Sequence, residues 1–414
     1  MDQPAARRVT VVLCTRAGEV LGALPAFEGV QPWWPESWDA VARARELYGV
    51  DIVILRRLDT GDGERHPGGH VTYLAELTPD DGGPPAVPLA PWTGADPIAD
   101  HPLRAEWARP GGPAAALAWA EEALEAMDRP SVAPPQQIRS WNLSTIWRLT
   151  TAAGPVWLKV VPPFFAHEGD MLERLDPAVV PPLLAHDGPR ILLDDVPGDD
   201  QYGAPLAQRL RMVAMLVRLQ ALWVRCVDEL TALRLADWRH PVLAEQLSTT
   251  YERTAGDLAA PTRRSLERLL GTLDSRYADI AACGIPDTLV HGDFHPGNIR
   301  GGGDRLVLLD WGDCGVGHPL LDQPAFVASA EAADVPAITA RWAAAWRAEV
   351  PGSDPDRAAA LLQPVAAMRQ ALIYRTFLDR IEPDEHVYHD QDPATWLRQA
   401  AELHRREESH PPTA

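Results

Sequence analysis

The spacing of apolar positions changes along the chain, and the changes mark its segments. Val9-Thr10-Val11-Val12-Leu13 is a β-branched run of strand type, Trp38 to Tyr48 suits a helix, and Val50 to Leu55 and His70 to Leu77 read as two further strands. Together they predict a small α/β unit. Between Pro79 and Pro97 prolines and glycines crowd together, Gly82-Gly83-Pro84-Pro85 among them. A regular element there would lose donors and chain entropy, so the stretch reads as a linker. Pro113 in a first-turn position, followed by Leu117, Ala120, Leu124 and Met127 on one face, predicts a connector helix. A strand, loop and strand follow, Ser140 to Leu149 and Val156 to Val161 on either side of Thr150 to Pro155. Beyond Pro205 the period becomes helical. Leu206, Leu210, Val213 and Val217 form one stripe, and another helix is expected from Pro261 to Ala282. After Asp322 come helices rich in Ala, Trp and Arg, then a polar tail from His404. No repeat of fixed period is present. The expected architecture is α+β. A small α/β domain occupies residues 1–90, a Pro/Gly-rich linker with its connector helix 91–130, and a larger domain 131–414, strand-rich over 131–197 and helical over 198–414.

Within the helical part, the short apolar runs Leu289-Val290 and Leu306 to Leu309 flank polar residues. The block His291-Gly292-Asp293-Phe294-His295-Pro296-Gly297-Asn298 has the form His-x-Asp with Asn five positions after the Asp, and Asp310-Trp311-Gly312 lies twelve residues beyond Asn298. This is the arrangement of a kinase catalytic loop and its metal-binding turn. Phosphoryl transfer needs one carboxylate to accept a hydroxyl proton and further oxygen ligands to hold magnesium across the ATP phosphates. On that chemistry Asp293 is the candidate base, and Asn298 and Asp310 are the candidate metal ligands. Gly292 and Gly297 tolerate the tight turns such a loop requires.

His291 to Asn298 with Asp310 to Asp313 resembles the aminoglycoside phosphotransferase and choline kinase family, which shares the protein-kinase architecture. The resemblance covers roughly Gln136 to the C-terminal helices, so it implies a bilobal protein-kinase-like fold over 131–414. It also implies ATP and Mg2+ as cofactors. By the same resemblance, Lys159 looks like the strand lysine that contacts the ATP α- and β-phosphates. Its partner would be Glu168, preferred over Glu173 because Glu168, Leu172 and Leu175 share a helical spacing that buries the leucines. Arg190 to Gly198 resembles the hinge whose backbone bonds adenine, which brings Asp194 and Val196 to the nucleotide. No Gly-x-Gly-x-x-Gly precedes Lys159. Trp141-Asn142-Leu143-Ser144-Thr145 stands in its place, and Ser144 and Thr145 are candidates to meet the β-phosphate, a solvated hairpin turn being the alternative. Asp313 and His291 are expected behind the metal ligands, Asp313 alternatively at a second metal. Asp322 is expected to be structural, and His295 either contacts substrate or caps the loop. No Ala-Pro-Glu element follows Asp310, which disfavours a protein substrate.

Composition narrows the partners. The formal net charge is -20, which repels nucleic acid and anionic membranes and suits a cationic substrate. The four cysteines form no Cys-x-x-Cys pair, and neither a signal sequence nor eighteen uninterrupted apolar residues is seen, so a cytoplasmic protein is expected. Glu382, Asp384, Glu385, Asp390 and Asp392 cluster near the end; with Pro383 and Pro393 among them they read as a solvated acidic turn, the alternative being a cation-binding face. Trp342, Trp346 and Trp396 keep a choline-type aromatic cage open. Residues 1–90 look faintly like a Nudix fold, but Arg45-Glu46-Leu47 is followed by Tyr48-Gly49-Val50, without the paired glutamates that hold magnesium. A non-catalytic module is expected. The functional expectation is transfer of the ATP γ-phosphate to a hydroxyl of a small, cationic, amino-sugar-like molecule. The alternatives are a nucleotide-binding regulatory protein, or a kinase for choline-like or neutral sugar acceptors.

Overall fold

The computed structural model describes residues 6–60, 67–78, 85, 87–302 and 305–409. The chain forms two compact units, one of Met1–Gly169, Pro182–Asp195 and Leu378–Tyr388, the other of Asp170–Pro181, Val196–Phe377 and His389–Ala414. Of the expected linker, residues 79–84 and 86 lie outside the described residues.

The first unit holds two sheets. In the front sheet β1 (Arg8–Cys14) pairs antiparallel with β2 (Val20–Ala23) and β3 (Phe27–Glu28) and parallel with β5 (His70–Thr78), and β5 pairs antiparallel with β4 (Asp51–Thr60). Helix α1 (Trp38–Tyr48) ends at Gly49, whose φ of 66° closes it in the left-handed conformation that glycine adopts without strain. After α2 (Gly112–Ala126) comes an antiparallel sheet of β6 (Gln136–Ser140), β7 (Thr145–Thr151), β8 (Gly154–Val160), β9 (Leu183–Asp187) and β10 (Arg190–Asp194), in the order β6-β7-β8-β10-β9. The strand expected from Ser140 to Leu149 is broken, because residues 141–144 turn between β6 and β7. Helix α3 (His167–Leu172) follows β8.

The two sheets share a core. Val12, Cys14, Val53, Leu55 and Leu74 of the front sheet are buried in one cluster with Ala116, Ala120 and Leu124 of α2 and with Trp147, Leu149, Val156 and Leu158. Strand β4 is an edge strand, and its exposed edge is covered from β6. The Gln137 amide donates to the Ile54 carbonyl and accepts from the Ile54 N–H, both at 2.8 Å. Ser37 N–H donates to the Ile138 carbonyl at 3.1 Å and Ser140 N–H to the Pro35 carbonyl at 2.9 Å.

The second unit is mainly helical: β11 (Asp199–Asp200), α4 (Leu206–Trp223), α5 (Val227–Ala232), β12 (Ala236–Asp237), α6 (Val242–Thr254), α7 (Ala260–Gly271) and α8 (Leu273–Ala282) lead to the short strands β13 (Thr288–Val290), β14 (Ile299–Gly302), β15 (Arg305–Leu308) and β16 (Gly315–Gly317). Helices α9 (Gln323–Ala328), α10 (Val335–Glu349), α11 (Pro355–Leu378) and α12 (Asp392–Ser409) complete it. Two expectations are corrected here. The single helix from Pro261 to Ala282 is two, separated at Thr272, whose φ of -113° leaves the helical range. The tail expected from His404 is helical to Ser409, with His404 buried, because Leu397, Ala400, Ala401 and His404 form one buried face of α12. Among the described residues no helix is long and apolar enough to cross a membrane.

Candidate active site

The loop between β13 and β14 carries Asp293 and Asn298, and it is held from beneath by Asp322. That carboxylate is buried and accepts from the backbone N–H of His291 at 2.9 Å, from the N–H of Gly292 at 2.8 Å and from the Gln220 amide at 2.9 Å. Burial pushes its pKa up, against the opposing pull of His291, Arg369 and these donors. The residue faces the loop backbone, as a structural role requires. Arg369 of α11 adds a second tie, donating to the Gly292 carbonyl at 3.0 Å while its guanidinium lies 4.3 Å from the Trp238 ring centroid. Gly292 itself has no substitute: its φ is +89°, and a Cβ would stand 2.0 Å from the Asp313 carbonyl oxygen.

On this support the side chains converge. The Asn298 amide nitrogen donates to the Asp293 backbone carbonyl at 2.9 Å and to its carboxylate at 3.0 Å, which turns the Asn298 carbonyl oxygen away from Asp293. His295 does two things. Its Nδ1 accepts from the Gly297 N–H at 3.0 Å, and its Nε2 lies 3.4 Å from the Asp293 carboxylate. Burial alone would raise the Asp293 pKa, yet the hydrogen bond and charge of His295 outweigh it and hold the carboxyl below its ordinary value. The reciprocal effect raises His295, against its own burial. His295 therefore caps the loop and pairs with Asp293. Tyr202 stacks on its ring, with centroids 5.5 Å apart. His291 is fully buried, its Nε2 3.0 Å from the Leu309 carbonyl, and burial lowers its pKa.

Asp310 is exposed and holds φ at 61°, the left-handed region that aspartate enters only at a cost. Its charge acts on both Asp293 and His295. Asp313 is half-buried beside the loop and interacts electrostatically with Arg369.

In the first unit, Lys159 on β8 donates to Glu168 of α3 at 2.7 Å, with both side chains largely buried. Glu173 instead leaves 63% of its side chain exposed beside Arg174. Of the other nucleotide candidates, Thr145 is buried and its hydroxyl donates to the Arg139 carbonyl at 3.1 Å, while Ser144 Oγ accepts from the Trp141 indole at 3.1 Å. Both hydroxyls are thus engaged within the β6–β7 hairpin. Asp194 pairs with Arg129 at 3.0 Å and its N–H donates to the Pro182 carbonyl; the Val196 carbonyl accepts from Arg300 at 2.8 Å.

The family model described as APH, the phosphotransferase enzyme family, matches residues 134–362, more than half of the chain and the stretch that holds Lys159, Glu168, Asp293, Asn298, Asp310 and Asp322. The chain belongs to the phosphotransferase enzyme family. As a member it is an ATP-dependent small-molecule phosphotransferase acting on hydroxyl groups. Solved structures similar to this phosphotransferase include macrolide 2'-phosphotransferase MphH from Brachybacterium faecium, with 16% identity, 72% of this chain and 99% of that one covered, and a TM-score of 0.48. Choline kinase LicA from Streptococcus pneumoniae shows 12% identity over 70% and 99% of the two chains, with a TM-score of 0.48. Choline kinase from Cryptosporidium parvum shows 9% over 66% and 90%, with a TM-score of 0.46. No curated protein matches the chain.

Two readings of the phosphotransferase's C-terminal part change. Trp342 and Trp346 are fully buried, Trp342 packing edge-on against Phe294 and Phe326, so neither can line a choline cage, and of the three tryptophans named for one only the half-buried Trp396 stays available. The acidic turn is not solvated at Glu382 and Glu385. Glu382 is clasped by Arg104 at 2.7 Å with 6% of its side chain exposed, and Glu385 is buried. Sequence reading missed Arg104, whose partner lies 278 positions away.

Proposed function

We propose that this chain transfers the γ-phosphoryl group of ATP to a hydroxyl of a small cationic molecule, an aminoglycoside-like amino sugar ahead of choline-like or neutral sugar acceptors, with Asp293 as base. The observation that carries this reading is the Asp293 carboxylate, oriented by the Asn298 amide and kept ionised by His295. An ionised carboxylate at that point accepts the proton of the attacking hydroxyl as the new P–O bond forms and the bond to the departing ADP breaks. Asn298 and Asp310 offer the hard oxygen donors that magnesium takes, and the amide orientation of Asn298 leaves its carbonyl oxygen for the cation. Magnesium would neutralise charge on the ATP phosphates. Lys159, fixed by Glu168, is assigned to those phosphates. A net charge of -20 favours a cationic acceptor; Glu382 adds nothing to this, being matched by Arg104.

The test is incubation with labelled ATP, magnesium and a panel of amino sugars, amino alcohols, neutral sugars and peptides, read by mass. Asp293→Asn should keep ATP affinity while losing about 100-fold or more of the transfer rate. Wild-type turnover in that variant would remove Asp293 as the base, and transfer confined to neutral sugars would defeat the cationic acceptor.

A further inference from the structure

Basic residues are unevenly spread over this acidic chain. With 58 acidic residues against 38 basic ones, an average stretch of surface is negative, yet the 18 residues of α4 include no acidic one. Arg211 and Arg218 stand exposed on that helix, seven positions and therefore about 10 Å apart along one face. Arg341 of α10, which packs on α4, and Arg305 of β15 are exposed as well. The four arginines line one groove of about 910 Å³ in the second unit, and among the described residues lining it none is acidic. Arg218, Arg305 and Arg341 have no ion-pair partner among the described residues, and Arg211 donates to the Gln208 amide oxygen at 3.2 Å. Asp176, two positions before the lining residue Ala178, accepts from the Ala178 N–H at 2.9 Å. Arg305 follows Asp304 in the sequence, so the charge argument rests on the three helical arginines. Like charges gathered in this way repel one another, and an anion placed among them relieves the repulsion.

We propose that this groove docks an acidic peptide segment of a partner protein, an extended stretch that carries two carboxylates with an aliphatic residue between them. In a polyproline II stretch, residues three apart face the same side at about 9 Å, close to the step from Arg211 to Arg218. The guanidinium fork takes a carboxylate through two parallel hydrogen bonds. Between the arginines the exposed Ala178 and the half-buried Val179 and Leu210 offer apolar contact, with Met215, an adaptable side chain, at the floor.

Size and charge select this occupant. The volume lies at the upper end of small-molecule sites and holds several peptide residues, where a single phosphate would leave the apolar floor uncovered. A nucleic acid or an anionic membrane would set many further anions against a chain of net charge -20, whereas a short peptide meets only the groove. None of the lining residues is aromatic, so nothing there stacks on a base. No residue assigned to phosphoryl transfer lines the groove, and the docking stands apart from that assignment.

Fluorescence anisotropy of the full chain with a labelled peptide made of two copies of Glu-Pro-Leu-Glu tests this. The peptide should bind at low ionic strength and more weakly as salt is added. Replacing its glutamates by glutamine should abolish binding, and replacing its leucines by serine should weaken it about fivefold or more, because the apolar contact is lost. Arg218→Glu and Arg341→Glu, both at exposed positions and checked for folding by circular dichroism, should each weaken it about tenfold or more. Arg406→Glu makes the same change of charge at an exposed site of α12 outside the groove and should stay within about twofold of wild type. Absence of binding, equal affinity for the serine peptide, or an equal loss in Arg406→Glu would overturn the proposal. So would tighter binding of a single-stranded oligonucleotide of equal charge, or a dimer that Arg218→Glu dissociates, which would give the groove to a second copy of the chain.

Discussion

Asp310 combines a backbone penalty with an exposed carboxylate, and the two can be separated by substitution. Asparagine enters the left-handed region nearly as readily as aspartate, so Asp310→Asn should leave the thermal midpoint unchanged while lowering magnesium-dependent nucleotide binding. Asp310→Ala should lose the same binding and also about 1–2 kcal/mol of stability, because a Cβ without a local hydrogen-bonding group is strained there. Titration with ATP in the presence and absence of magnesium checks this, and wild-type magnesium-ATP affinity in Asp310→Asn would detach Asp310 from the metal. At this scale the sequence was legible wherever chemistry dictates spacing. The spacing of Asp293 and Asn298 expected from phosphoryl transfer brings the two side chains into contact, and Glu168 meets Lys159 as expected, although Leu175 of the spacing that singled it out lies beyond the end of α3. His295 was not decidable, since its role rests on a contact with Asp293 that spacing alone leaves open. Glu382 was misread because its buried partner lies far off in sequence.

Elements were legible where one period runs long enough. Helices α1, α2 and α4 lie where the apolar stripes place them, while α7 and α8 were read as one helix because the stripe continues past the break at Thr272. What no period reveals is how an edge strand is covered. Gln137 makes two hydrogen bonds to Ile54, on the open side of β4. Replacing it with leucine keeps the bulk but strands a buried N–H and a buried carbonyl, at a cost of about 1–3 kcal/mol for each unsatisfied group. Gln137→Leu should therefore shift the denaturant midpoint downward by an amount equivalent to about 2 kcal/mol or more, with Gln137→Glu also destabilised because it cannot donate when ionised. A Gln137→Leu chain as stable as wild type would show that the edge is satisfied by other groups.

At the scale of the whole molecule, the front sheet bears on the rest through shared burial. Val12, Val53, Leu55 and Leu74 enter the same cluster as Trp147, Leu149, Val156 and Leu158, the side chains behind the sheet that carries Lys159. Composition patterns announced a separate small α/β segment, but they could not announce this, because which two apolar faces meet is a property of the folded chain. Burying four aliphatic side chains is worth about 1.5–3 kcal/mol each, and the sum, about 6–12 kcal/mol, rivals the whole stability of an ordinary domain. Glu46 on α1 is exposed and, among the described residues, pairs with Arg43, and the expected role of residues 1–90 is contact or stability. A chain beginning at residue 91 should accordingly lose the near-ultraviolet dichroism of Trp147 and its neighbours, become sensitive to protease within residues 131–195, and bind ATP poorly. Residues 1–90 expressed alone should show no magnesium-dependent hydrolysis of nucleoside diphosphate derivatives, since one exposed glutamate is no multi-carboxylate site. If the shortened chain instead bound ATP and transferred phosphate at the wild-type rate, the shared core would be dispensable; turnover by the isolated segment, abolished in Glu46→Gln, would give that segment a chemistry of its own.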